Sequence, residues 1–159
     1  MDDAGIIEFA DEARRFCAFV EQASELPLDV RLVVARERLA ALYVAALTLP
    51  EGAPAEADTP EVAKRPAVDV GRFHLYRLVF DPYDWLDTPG AITHPPEPVL
   101  GDLGDDLTEI DRDLRRGLAV IDRDGPAAAC WEWRFAFETH WGDHALGALR
   151  ALHAAISRA

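Results

Sequence analysis

Apolar residues recur along this chain mostly every three or four positions, the spacing of one face of an α-helix. Ile6, Phe9, Ala13, Phe16 and Val20 form one such stripe and predict a helix from about Ile6 to Ser24. After Pro27, the residues Leu28, Leu32, Ala35, Leu39, Leu42, Ala46 and Leu49 alternate steps of four and three. That is a heptad seam, which suits packing against an antiparallel neighbour or, equally, against a second copy of the chain, so it leaves the oligomeric state open. Leu107, Ile110, Leu114, Leu118 and Ile121 give a third stripe, with Asp102 or Asp105 as its N-cap. From Ala127 to Ser157 the pattern is apolar nearly all round. Trp133, Phe137, Trp141, His144, Ala148 and Leu152 fall on one side, and Trp131, Phe135, Leu146, Leu149 and Ile156 on the other. A helix of that kind belongs in the centre of a bundle, and Gly142 would either kink it or admit a close neighbour.

The eleven prolines fall between these stripes or at helix starts, as the missing N–H requires. They mark two Pro-rich loops, about 50–69 and 81–99. The first reads as a surface linker inside one domain, the second as a loop pinned to the body by Trp85 and Leu86. Val70 to Phe80 fits a short helix through Phe73, Tyr76 and Phe80, or a strand through Phe73, Leu75, Arg77 and Val79. A lone strand would have no partner, which favours helix. The fold expected is all-α: a single-domain helical bundle of about five to six helices over residues 1–159.

Charge narrows the partners. Twenty-nine acids against sixteen bases give a formal net charge of −13. Such a surface repels phosphate backbones and anionic membranes and favours a basic protein partner. No apolar run is long enough to span a bilayer, and the acidic N-terminus lacks the features of a signal peptide. With Cys17 and Cys130 in no redox or metal spacing, the expectation is a cytoplasmic protein with reduced thiols. Arginine stands almost everywhere a lysine would serve, Lys64 excepted, which fits a GC-rich bacterial source.

Two constellations carry chemistry. On the third predicted helix, Asp106, Glu109 and Asp113 stack at spacings of three and four, a repulsive column that a cation would relieve. Arg112 and Arg116 neutralise part of it, and the wheel sets it roughly 110° from the apolar stripe, at the rim of a bundle. Asp111 lies nearer the buried side and is placed to bond a histidine. The second constellation is His140 and His144, four apart on one helix face as metal ligands often are, but without the glutamate of the zinc-protease motif. The structural alternative is a pair of core histidines bonded to carbonyls or carboxylates. With Ser24 and Ser157 the two serines of the chain, a serine triad is disfavoured.

Phe80-Asp81-Pro82, Asp105-Asp106-Leu107, Asp113-Leu114 and the run from Trp131-Glu132-Trp133 to His140-Trp141-Gly142-Asp143-His144 together resemble the bacterial domain-of-unknown-function family 5063. The resemblance implies an all-helical bacterial cytoplasmic protein and supplies no activity. The function expected first is therefore a non-enzymatic acidic accessory protein that needs no cofactor. It would meet a basic partner, or hold a ligand, through Asp106, Glu109, Asp113, Trp133 and Trp141. The alternative is a metal-dependent hydrolase whose divalent ion is held by Asp106, Glu109, Asp113, His140 and His144. It requires that the two constellations converge in one cleft. A third reading is a small-ligand pocket lined by Trp133, Phe137 and Trp141.

Overall fold

Asp102 turns the chain into its longest helix. Its Oδ1 accepts the backbone N–H groups of Gly104 and Asp105, which the first helical turn would otherwise leave unpaired. In the computed structural model, which describes residues 3–54, 58–78 and 98–158, this helix is α3, Leu103–Asp124. The others are α1, Asp3–Gln22; α2, Leu28–Ala46; α4, Pro126–Ala136; and α5, Gly142–Ser157. Two short strands, β1 (Leu75–Leu78) and β2 (Val99–Asp102), pair antiparallel with Leu75 opposite Asp102. The mostly helical single-domain expectation holds, but α4 and α5 run on from one another, so the described α-helices make four bodies where five to six were expected. Among the described residues, no helix is long and apolar enough to cross a membrane.

The predicted stripes become the core. Ile6, Phe9, Ala13, Phe16 and Val20 of α1 are buried, as are Leu32, Ala35, Leu39, Leu42 and Ala46 of α2. The α2 seam is thus filled from within the chain, by α1 and α5. Helix α3 packs on α1, α4 and α5 and is the central element. The C-terminal helices are more peripheral than their composition suggests. Trp133, Trp141, Ala148 and Leu152 are buried, but Phe135 and Leu146 on the opposite side are each 51% exposed. Gly117 of α3 lies under Trp133: a Cβ there would stand 2.0 Å from the indole Nε1, which instead donates to the Leu114 carbonyl at 3.1 Å. Trp133, Phe137 and Trp141 pack with the core, with the Phe9 ring 5.0 Å from Trp133 and the Phe137 ring 4.7 Å from Trp141.

Two expectations are corrected. Residues 75–78 form a strand and not a helix, because Val99–Asp102 supplies the partner; of the preceding residues, Gly71–Phe73 make one short helical turn. Of the segment read as a surface linker, residues 58–69 form a strap laid along α3. Val68 and Val70 are buried, and the carbonyls of Asp58, Ala63 and Pro66 accept from Arg123, Arg115 and Thr108 of α3. Proline spacing excludes helix there but says nothing of where the backbone finds its partners. The C-terminal region is one helical run, as expected, with α4 and α5 joined through a π turn, Phe137–Trp141, in which the Gly142 N–H reaches back to the Phe137 carbonyl. One inserted residue of this kind rotates α5 about its axis relative to α4. A Cβ on Gly142 would lie 2.4 Å from that same carbonyl, so the turn needs glycine. The contacts expected of Trp85 and Leu86 lie outside the described residues.

Candidate metal centre

The acidic column of α3 faces inward. Asp106 and Asp113 are buried, with Glu109 between them partly exposed. The wheel set them at the rim because it weighs one helix in isolation. Here α5 and the β-hairpin cover a second side of α3, and polar groups from both complete the burial.

The two constellations converge. His140, in the π turn, donates from Nδ1 to Asp113 Oδ2 at 2.6 Å. His144, at the start of α5, donates from Nδ1 to Asp106 Oδ1 at 2.7 Å. The residue earlier in α3 pairs with the later histidine, as antiparallel helices require. Asp106 and Asp113 are seven residues apart, roughly 10.5 Å along the axis, and each ring directs its Nδ1 to one of them. Their far nitrogens therefore turn toward the acid in the middle. Glu109 Oε2 lies 3.6 Å from His140 Nε2 and 3.7 Å from His144 Nε2. The rings meet edge to face, 4.7 Å between centroids.

With each Nδ1–H held by a carboxylate, a neutral imidazole keeps its lone pair on Nε2. Glu109, His140 and His144 then offer three donor atoms within 4.8 Å of one another. Ligands about 2.1 Å from a tetrahedral ion stand roughly 3.4 Å apart, so the two spacings from Glu109 Oε2 to the imidazoles, 3.6 and 3.7 Å, need to contract by only a few tenths of an ångström. Carboxylates on the outer nitrogens are the supports that metal-binding histidines ordinarily have.

Tyr76 extends the network in a way the sequence did not suggest. Its hydroxyl donates to Asp106 Oδ2 from β1. Its side chain occupies a slot between Gly101 and Gly147, where a Cβ would come within 2.6 Å of the ring carbon Cζ and 2.5 Å of the hydroxyl oxygen respectively. Burial, then the bond to Asp106, pushes its hydroxyl pKa well above the ordinary value. On the solvent side, Lys64 from the strap sits 2.7 Å from Asp105 and 3.3 Å from Glu109 Oε1. Arg112 and Arg116 reach the column as expected, within 4.0 Å of Glu109 or Asp113.

Asp111 takes no part. It is fully buried but pairs with Arg115 at 2.8 Å and Arg65 at 3.5 Å, and its backbone carbonyl accepts from Cys17. Burial, followed by the charge of Asp111, raises the Cys17 thiol well out of the reactive range. The histidine bond expected of Asp111 goes instead to Asp106 and Asp113. Of the residues considered for partner contact, Trp133 and Trp141 are wholly buried and so are not presented at the surface.

The bond to Asp106 raises the His144 pKa above its ordinary 6.5, against the effect of burial and with help from the charges of Asp106, Glu109 and Asp113. In metal-free protein the folded state thus holds this proton more tightly than the unfolded state. The resulting stability is complete below about pH 6.5 and lost as pH rises through the raised folded value. Melting temperature followed from pH 6 to 8.5 is expected to fall across that window, and to fall less in His144→Gln. A wild-type curve no steeper than the variant's would contradict this proton assignment.

Known proteins support the fold and are silent on the chemistry. The structure resembles the crystal structure of protein BF1032 from Bacteroides fragilis, with a TM-score of 0.69 and 20% identity over 94% of this chain and 90% of that one. No curated protein matches the sequence. The model of the domain of unknown function DUF5063 matches residues 2–158. The resemblance carried by the aspartate and tryptophan–histidine motifs is thereby borne out, and the chain belongs to the DUF5063 family.

Proposed function

We propose that this protein binds one divalent transition-metal ion through Glu109, His140 Nε2 and His144 Nε2, and that it is a metal-dependent hydrolase. The observation that carries this reading is the opposed orientation of each imidazole: Nδ1 fixed by its own buried carboxylate, Nε2 turned to the one glutamate oxygen they share. An unsupported pair of surface histidines would have no reason to be held this way. Two nitrogens and one oxygen suit zinc, iron(II), nickel or manganese better than magnesium or calcium. Three protein ligands leave positions open, the mark of catalytic rather than structural sites. In such a site the ion lowers the pKa of a bound water to about 7, which makes hydrolysis the natural reaction class.

The acidic composition still fits a non-enzymatic accessory protein with a basic partner, but that reading has less local support. The carboxylates that motivated it point to histidines, tyrosine and arginines of the same chain. We take the setting to be the bacterial cytoplasm.

The test is thermal melting of chelator-stripped protein with and without Zn²⁺, Mn²⁺ and Mg²⁺. Metal at a hundredfold excess over Kd adds about 2.7 kcal/mol, or roughly 5–11 °C for a domain of this size. The shift is expected with Zn²⁺ or Mn²⁺, to be smaller with Mg²⁺, and to vanish in Glu109→Gln and in His140→Ala/His144→Ala. Equal melts with and without every ion would remove the metal reading.

A further inference from the structure

Glu109 has two faces. Its Oε2 serves the imidazoles, while its Oε1 lies 3.3 Å from Lys64 Nζ and 4.0 Å from Arg112 Nη2. An ion held by Oε2 therefore has two cationic side chains just across its own ligand. We propose that the metal-loaded site binds a phosphate group, free or as a small phosphomonoester, with one oxygen on the metal and others held by Lys64 and Arg112. The proposal rests on the metal reading above and adds the class of ligand.

Charge supplies the first support. Among the described residues, the groups linked by contacts around the site are four carboxylates, Asp105, Asp106, Glu109 and Asp113, and three permanent cations, Lys64, Arg112 and Arg116. Without metal and with neutral histidines the cluster carries one surplus negative charge. A divalent ion turns that into one surplus positive charge. Anion binding is thus conditional on the metal, and a chain with a net charge of −13 acquires a local positive centre.

Arginine geometry supplies the second. Arg112 has ion-pair distances of 4.0 Å to both Glu109 and Asp113, too long for hydrogen bonds, and its Nε is buried without a hydrogen-bond partner among the described residues. Arg116 Nε likewise has no hydrogen-bond partner among the described residues, and its Nη1 stands 3.7 Å from Asp113 Oδ1. A buried N–H left unpaired is costly. A guanidinium fork with donors to spare matches the oxygens of phosphate better than a single-point ligand.

Access supplies the third. The side chains of His140, His144 and Glu109 are 38%, 32% and 21% exposed, whereas Asp106 and Asp113 lie behind them. A small anion approaching from solvent meets the metal-facing nitrogens and the cations before it meets the buried acids. The overall negative charge disfavours a polyanion such as nucleic acid, which would have to lie along the surrounding surface.

Cobalt(II) is the probe, because its visible d–d bands respond to changes in its ligands. Cobalt-loaded protein is titrated with inorganic phosphate and, separately, with phenyl phosphate, and phosphate binding to metal-free protein is measured by calorimetry. The expected result is a saturable band change with at least one of the two. Lys64→Ala/Arg112→Ala should weaken it by about tenfold or more, the loss that goes with charge-assisted hydrogen bonds, and the metal-free protein should bind nothing. A response to inorganic phosphate alone would assign the free ion as ligand, and a response to both would assign the phosphoryl group of an ester. Cobalt bands that neither anion perturbs would overturn this proposal and leave the metal site standing. Unchanged affinity in the double variant, or equal binding by metal-free protein, would overturn it too. Protein that develops no cobalt bands would take down the metal reading together with it.

Discussion

Trp133→Ala is expected to lower the melting temperature by about 6–20 °C. The ring is wholly buried, stacks at a tilt on Phe9 and rests on Gly117, whose missing Cβ is what makes room for it. Removing it deletes the largest side chain from the junction of α1, α3 and α4. A substitution of that kind costs about 3–5 kcal/mol, because the backbone collapses only partly into the space left behind. Each kcal/mol lowers the melt by roughly 2–4 °C for a chain of this size, which sets the range. Trp133→Phe should cost much less. It keeps a ring on Phe9 and gives up the bond from the indole N–H to the Leu114 carbonyl, which stays inside a helix and so keeps its backbone donor. Calorimetric melts of the two variants decide the matter. A loss below about 1 kcal/mol in Trp133→Ala would mean that this residue is not in the core at all. Trp133 meets Phe9, Gly117 and the Leu114 carbonyl, none of them a proposed ligand, so metal affinity measured well below the melt should be unchanged in Trp133→Phe.

The particular residues show what sequence patterning reaches. The α1 stripe, the α2 seam and the Asp102 cap all depend on neighbours a few positions away, and all are legible in the sequence. The β-hairpin is not, because Leu75–Leu78 needs Val99–Asp102, and nothing in the short run Val99-Leu100-Gly101-Asp102 declares a strand. The π turn is equally silent, since Phe137 to Trp141 reads as ordinary helix until Gly142 bonds one residue too far back. For the site, residue types and spacings are informative: the acids at three and four, the histidines at four. The error lies in their depth. A helical wheel assigns the rim by the angle from one stripe, and α3 is covered on more than one side. Tyr76 and Lys64 belong to segments that composition marks as irregular or ambiguous, and their roles arise from contacts 30 and 45 residues away in sequence.

Asp106→Asn and Asp113→Asn are each expected to weaken metal binding by about 10–100-fold without removing a ligand. Each carboxylate holds one imidazole by Nδ1–H, fixing both the tautomer that frees Nε2 and the ring plane that aims it at Glu109. Asparagine keeps the shape but can present its amide N–H to the ring. That favours the tautomer with the proton on Nε2, where the metal should be. The negative charge that makes the imidazole a better donor is lost as well. Asp111→Asn is the informative comparison. Asp111 is as deeply buried and also lies on α3, but it serves Arg115 and Arg65. Its replacement should cost stability, since two guanidinium groups lose their counter-charge, while the metal affinity of the folded protein stays within about threefold of wild type. Tyr76→Phe should fall between, because it frees Asp106 Oδ2 but leaves the Oδ1 bond to His144 in place. Competition against a chromophoric chelator measures all four on one scale. Should Asp111→Asn lose as much affinity as Asp106→Asn, the histidine–carboxylate pairs would be ordinary buried polar contacts, and the loss would reflect a loosened α3 instead of misdirected ligands.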